Sequence, residues 1–148
     1  MKKEPKPIPF SLQDIKTEQF AVLEEHYNPK AKVGVSNTIQ FRIEDIQKQV
    51  IVSIAFQFVQ QKQTFLKIEV SCVFKIQDAA WSLLLETHPR EIRLPRTLLA
   101  QLAMLTMGTA RGILFAKTET TPFSKFILPT LNLAETIQED AVFELDAA

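Results

Sequence analysis

Residues 64–76, TFLKIEVSCVFKI, alternate with a period of two. Leu66, Ile68, Val70, Cys72, Phe74 and Ile76 fall on every second position, and Lys67, Glu69, Ser71 and Lys75 fill most of the gaps. Successive side chains of a strand point to opposite faces of a sheet, so the stretch predicts a long strand with one buried face. Burying such side chains is worth roughly 1.5–3 kcal/mol each before chain entropy is subtracted. The remaining segments must supply the lid for that face.

Two further strands precede it. Val35, Ile39, Phe41 and Ile43 alternate with polar residues, and Val50, Val52, Ile54, Phe56 and Phe58 do the same after a polar break at Asp45, Gln47 and Lys48. Gln60-Gln61-Lys62-Gln63 is the next joint. Three alternating strands with short polar joints predict an antiparallel meander. Residues 10–23 read as a first, irregular strand: Phe10 and Leu12 share a face, then the apolar set shifts to Ile15 and resumes at Phe20 and Val22. Such a change of phase predicts a bulge or bend. The connector 24–33, EEHYNPKAKV, is too long for a tight hairpin and can carry the chain across the end of a sheet.

Beyond Ile76 the period changes. Asp78 is placed to cap a short helix, DAAWSLLL, and residues 87–90 read as a loop. Pro95 suits a first helical position, predicting a helix from there to about Ala116. Leu98, Leu102 and Leu105 form one stripe of it; Leu99, Ala103, Met107 and Ala110 form the next, wide enough together to cover a sheet. Its uncharged part, residues 97–110, is short of the ~20 residues that span a bilayer, which predicts a packed helix without membrane insertion. Gly108 and Gly112 weaken the helix but flatten one side for close backbone approach, within the fold or against another subunit. Residues 126–133 read as an extended, packed run containing Pro129. Asn132 and Glu135 resemble a capping box for a last helix showing Ala134, Ile137, Ala141 and Leu145 on one side.

The expected class is therefore α+β: a four-stranded antiparallel sheet, its first strand joined by a crossover loop, covered by a long helix and a shorter C-terminal helix. Residues 1–9 are expected to be a disordered arm and 10–146 a single domain, the default for 148 residues. Seventeen basic and seventeen acidic residues give a formal charge of zero, which argues against a dedicated nucleic-acid binder. A single cysteine makes no internal disulfide and is compatible with a reducing cytoplasm.

Catalytic chemistry is poorly supplied. His26 and His88 sit in separate loops, Cys72 lies on the inward phase of a strand, and three glycines leave no phosphate-binding loop. No catalytic residue, metal site or cofactor is expected, and an enzyme is not. The aromatic supply stands out instead: eleven phenylalanines, one tyrosine and one tryptophan, with Tyr27, Trp81, Phe115, Phe123 and Phe126 outside the regular strands. These rings either fill a core or line a groove for extended apolar peptide.

The order of these pieces resembles the SecB family of bacterial chaperones. Residues 65–76 (FLKIEVSCVFKI) resemble its last strand, 92–102 (IRLPRTLLAQL) the start of its long helix, and 128–134 (LPTLNLA) its late proline–leucine stretch. The resemblance implies a cytoplasmic homotetramer, a dimer of dimers, that holds unfolded or partner-free polypeptide in apolar surface grooves without ATP, with a role in protein export. By position it implies a peptide-binding groove at Tyr27, Phe123 and Phe126. The long helix, through Leu98, Leu102, Leu105, Gly108 and Gly112, would lie at the oligomer interface. The implied partners are unfolded clients, with SecA or an antitoxin beside them; the alternative is a dedicated chaperone or a scaffold subunit reusing the fold. Three features depart from the family: zero net charge where export members are strongly acidic, a longer segment at 116–126, and a C-terminus without a match to the SecA-binding end.

Overall fold

The computed structural model describes residues 7–87 and 89–146. The strand that dominates the sequence is β4 (Gln63–Ile76), and it lies inside a four-stranded antiparallel sheet of order β1-β4-β3-β2. Its neighbours are β1 (Phe10–Val22) and β3 (Gln49–Gln60), with β2 (Gly34–Glu44) at the far edge. The chain leaves β1 at one edge and crosses the sheet end to start β2 at the other, so the first strand closes the free side of the meander. This is the α+β architecture implied by the resemblance.

Register explains the irregular phase of β1. Leu12 lies opposite Phe74, Ile15 opposite Cys72 and Phe20 opposite Ile68, with shifts between Leu12 and Asp14 and between Thr17 and Gln19. Each shift inserts one residue and returns the apolar side chains to the inner face. Ile68, Val70, Cys72, Phe74 and Ile76 are buried with Val50, Val52, Ile54 and Phe56 across the ladder. On the outer face Lys67, Glu69 and Lys75 are half-exposed, and the Ser53 and Ser71 hydroxyls pair at 2.7 Å.

The lid is α2 (Arg96–Thr118), which packs over β3 and β4. Leu98, Leu99, Leu102, Ala103, Met107, Ala110 and Leu114 are buried, and the buried Thr106 and Thr118 hydroxyls donate to carbonyls one turn back, at 2.9 and 2.8 Å. At 23 residues, the helix is longer than its uncharged stretch and apolar enough to cross a membrane by length and composition; half of that apolar window is buried within the protein. Pro95 stands just outside it as the N-cap.

The C-terminal region differs from the sequence expectation. The last helix is one turn, α3 (Leu133–Thr136), and β7 (Ala141–Glu144) is a strand. With β5 (Leu85–Thr87) and β6 (Arg90–Leu94) it forms a second sheet of order β5-β6-β7. Ala141, Phe143 and Leu145 are half-buried while Val142, Glu144 and Asp146 are exposed, a period of two that prevails over the helical spacing of Ile137 and Ala141. Phe143 lies opposite the buried Ile92, and the Leu145 N–H donates to the Arg90 carbonyl at 3.0 Å.

Two smaller corrections concern α1 (Asp78–Leu84) and the N-terminal arm. Gln77 is the N-cap residue of α1, without a side-chain cap, and Asp78 instead pairs with Lys75 at 2.9 Å and Lys48 at 3.4 Å. Of the arm expected over 1–9, residues 1–6 lie outside the described residues, as does His88. Ile8 packs on the core, and the Pro9 carbonyl accepts from the Gln77 N–H at 3.0 Å.

Candidate functional site

Tyr27, Phe123 and Phe126 come together although nearly a hundred residues separate the first from the others. Tyr27 follows a 3₁₀ turn, Glu24–His26, in the crossover connection. Its ring centroid lies 5.1 Å from that of Phe123 and 5.7 Å from that of Phe126. Phe58 and Phe65 complete the cluster from β3 and β4, with Phe65 at 5.0 Å from Tyr27 and 5.1 Å from Phe126. Edge-on and tilted ring pairs of this kind add about 0.5–1.5 kcal/mol beyond the area they bury.

Local chemistry fixes each contributor. Phe65 is the extra residue at a register shift between β3 and β4, so Phe65 and Leu66 are both buried. Phe123 sits on a second 3₁₀ turn, Pro122–Lys125, whose Phe123 N–H is capped by the Thr121 hydroxyl at 3.1 Å. The crossover is held by buried Gln60: its Oε1 accepts from the Asn28 N–H at 2.8 Å, and its Nε2 donates to the carbonyls of Asn28 and Ala31 at 2.8 and 3.1 Å. His26 lies 3.0 Å from the Thr64 carbonyl through Nδ1. Because a carbonyl only accepts, that nitrogen carries the proton.

The cluster is graded in exposure. Phe123 is 4% exposed and Phe58 and Phe65 are buried, whereas Tyr27 and Phe126 are half-buried. The Lys125 ammonium lies over both outer rings, 5.4 Å from the Tyr27 centroid and 5.5 Å from that of Phe126.

Phe126 also forms a wall of an apolar cleft of about 350 Å³, with Gly108, Arg111, Gly112, Phe115 and Ile127. Phe115 is 51% and Ile127 61% exposed. Arg111 ties the helix to the following strap by donating to the carbonyls of Leu128 and Pro129, at 3.4 and 3.2 Å. The five residues expected at an oligomer interface divide. Leu105, Gly108 and Gly112 are exposed, whereas Leu98 and Leu102 are buried within this chain, where the helical stripe turns toward the sheet. A Cβ added at either glycine would meet nothing within 4 Å, so among the described residues no backbone makes the close approach those glycines permit.

A larger cleft of about 540 Å³ separates the β2–β3 turn from the C-terminal strand, but five of its eight lining residues are charged, and Arg90 there already pairs with Asp45 at 2.9 Å and with the Asp146 carbonyl. Among the described residues no group of three or more His, Cys, Asp or Glu side chains could hold a metal ion, and Cys72 is buried. What the aromatic cluster and its cleft offer is apolar surface. Periodicity puts Phe58 on an apolar face but does not single out Phe65, Gln60, Arg111 or Lys125; the apolar Phe65 on the phase of Lys67 and Glu69 is the one sequence sign of the bulge.

No family model matches the chain, and no curated protein matches it. Among solved structures, a similar chain is the Rv1957 SecB-like chaperone of Mycobacterium tuberculosis, in complex with a ChAD peptide from the Rv1956 HigA1 antitoxin. It is 11% identical, with a TM-score of 0.49, over 82% of this chain and 90% of that one.

Proposed function

We propose that residues 10–146 form a SecB-like holding chaperone domain that binds unfolded or partner-free polypeptide without ATP, at the surface built by Tyr27, Phe123 and Phe126. The observation that carries this reading is the convergence of aromatic rings from the crossover, the sheet and the post-helix turn, open to solvent at Tyr27 and Phe126 and continuous with the cleft beside Phe115 and Ile127. Apolar walls with few polar groups suit extended segments of varied sequence. In this reading the protein acts in a bacterial cytoplasm and passes a captured chain to an export motor such as SecA or back to a partner such as an antitoxin.

Assembly is part of the proposal. Before the cleft, the outward face of α2 presents Met104 and Leu105, and on the inward face of β1 Leu12 and Ile15 are left exposed. Apolar surface of this kind is covered in soluble proteins by another chain, here further copies arranged as a dimer of dimers. A second reading, a scaffold subunit that reuses the fold, is favoured by the near-complete burial of Phe123.

The test is suppression of client aggregation, paired with mass measurement in solution. The chaperone reading expects suppression and a tetrameric mass, with Phe126→Asp weakening suppression while the mass is kept. A monomer that leaves aggregation unchanged loses the reading, and a variant that loses both properties together identifies Phe126 as core.

A further inference from the structure

The cleft beside Phe126 is apolar in its walls and cationic at its edge. Four of its six lining residues are Gly108, Gly112, Phe115 and Ile127, and the single charged one is Arg111. Two of the five guanidinium N–H donors of Arg111 are taken by the strap carbonyls, leaving three without a protein acceptor among the described residues. The Lys125 ammonium lies 5.5 Å from the centroid of the same Phe126 ring, and among the described residues no carboxylate pairs with either cation. The charge that this cleft lacks is negative.

Resting on the client-binding reading above, we propose that the cleft takes an aromatic or branched apolar side chain of an extended polypeptide with a carboxylate beside it. The apolar side chain would fill the space over Gly108 and Gly112, where a Cβ on either residue would meet nothing within 4 Å among the described residues. The carboxylate would accept from the free donors of Arg111 or lie beside the Lys125 ammonium. Arg111 and Lys125 thereby act as specificity-determining residues on a protein whose overall charge is zero.

The test uses two labelled peptides with one Leu-Phe-Leu core, flanked by Glu in one and by Lys in the other, titrated with the full chain by fluorescence anisotropy. The expected result is binding of the acidic peptide roughly three- to tenfold tighter at low ionic strength, the advantage shrinking as salt is added. Lys125→Glu, at an exposed position, should cut or reverse the preference while leaving the circular dichroism unchanged. Equal affinities for the two peptides, or a preference untouched by Lys125→Glu, overturn the assignment and leave client binding standing. If neither peptide binds, the client-binding reading falls and the assignment with it, including the case in which a medium-chain fatty acid binds instead.

Discussion

Gln60 and Asn28 exchange two hydrogen bonds across thirty-two residues of sequence: the Asn28 N–H donates to the Gln60 side-chain oxygen, and the Gln60 amide donates to the Asn28 carbonyl, both at 2.8 Å. A primary amide presents its donor and acceptor side by side, so it mimics the strand partner that a crossover loop lacks. Gln60→Ala removes both bonds and the one to Ala31, and a backbone group left unsatisfied costs about 1–3 kcal/mol. The expected outcome is a lower urea midpoint with faster amide exchange at Asn28. A change below about 0.5 kcal/mol would place water in the role assigned to Gln60.

The β3–β4 hairpin turns at Gln61 and Lys62 with φ of 50° and 67°, the left-handed region, and neither residue is glycine. Two-residue turns of this kind favour Asn-Gly, because a Cβ there costs roughly 1–2 kcal/mol. After the greater entropy that glycine loses on folding, Gln61→Asn with Lys62→Gly should raise stability by about 0.5–1 kcal/mol. Thermal unfolding checks it, and an unchanged or lower midpoint would mean that the present turn carries little strain.

Those two turns show where sequence reading stops. Alternation locates β2, β3 and β4, and the phase changes at Leu12, Ile15 and Phe20 locate the bulges of β1, because a buried face tolerates one register only. The long helix is equally legible from its apolar stripes and Pro95. Its outer face is not: Leu98, Leu102 and Leu105 look alike in a heptad, and only packing decides that the first two point inward. The resemblance names Tyr27, Phe123 and Phe126, whose rings lie in one cluster, whereas Phe65 needs the bulge and Gln60 needs the loop folded over it. The small sheet was hidden because four residues of β7 carry too little periodicity to outweigh a capping box at Asn132, which forms only its N-cap half, Asn132 to the Glu135 N–H at 3.3 Å.

Asp78 gives a pH prediction. Its hydrogen bond to Lys75, then the charge of Lys48, hold its carboxyl below the ordinary value of 3.8. A folded value below the unfolded one contributes stability above the unfolded value, and that contribution is lost as pH falls through the folded one. Asp78→Asn should therefore be less stable than the wild type at pH 6, with the difference closing as pH falls below about 3.8. A pH-independent difference would assign the loss to packing at the start of α1 instead.

Glu91 titrates in the opposite sense. Cross-strand register sets Glu86 and Glu144 on either side of it, and the hydrogen bond that its protonated carboxyl donates to Glu86, followed by burial and the charge of Glu86, raises that carboxyl above the ordinary 4.5. Arg93, 3.6 Å from Glu86, offsets part of the repulsion. With the folded value above the unfolded one, the stability that protonation confers is complete below the unfolded value and lost as pH rises through the folded one. Glu91→Gln should thus protect β7 amides more than wild type at pH 7 and equally at pH 3. Equal protection at both values would show the row to be screened by solvent.

Gly108 and Gly112 separate the stability of one chain from the stability of an assembly. Glycine inside an exposed helix costs about 0.8–1.0 kcal/mol relative to alanine, and a methyl at either position meets nothing within 4 Å. In a dilute, monomeric sample each Gly→Ala change should accordingly raise stability by about that amount. If copies pack through this face, a close backbone approach is what the glycines are kept for, and the same methyl then opposes it. Gly112→Ala, and more strongly Gly112→Leu, should shift sedimentation toward lighter species while the unfolding midpoint of the dilute protein rises for alanine. Stabilisation with unchanged mass would remove α2 from the interface and leave the exposed glycines facing only the cleft beside Phe126.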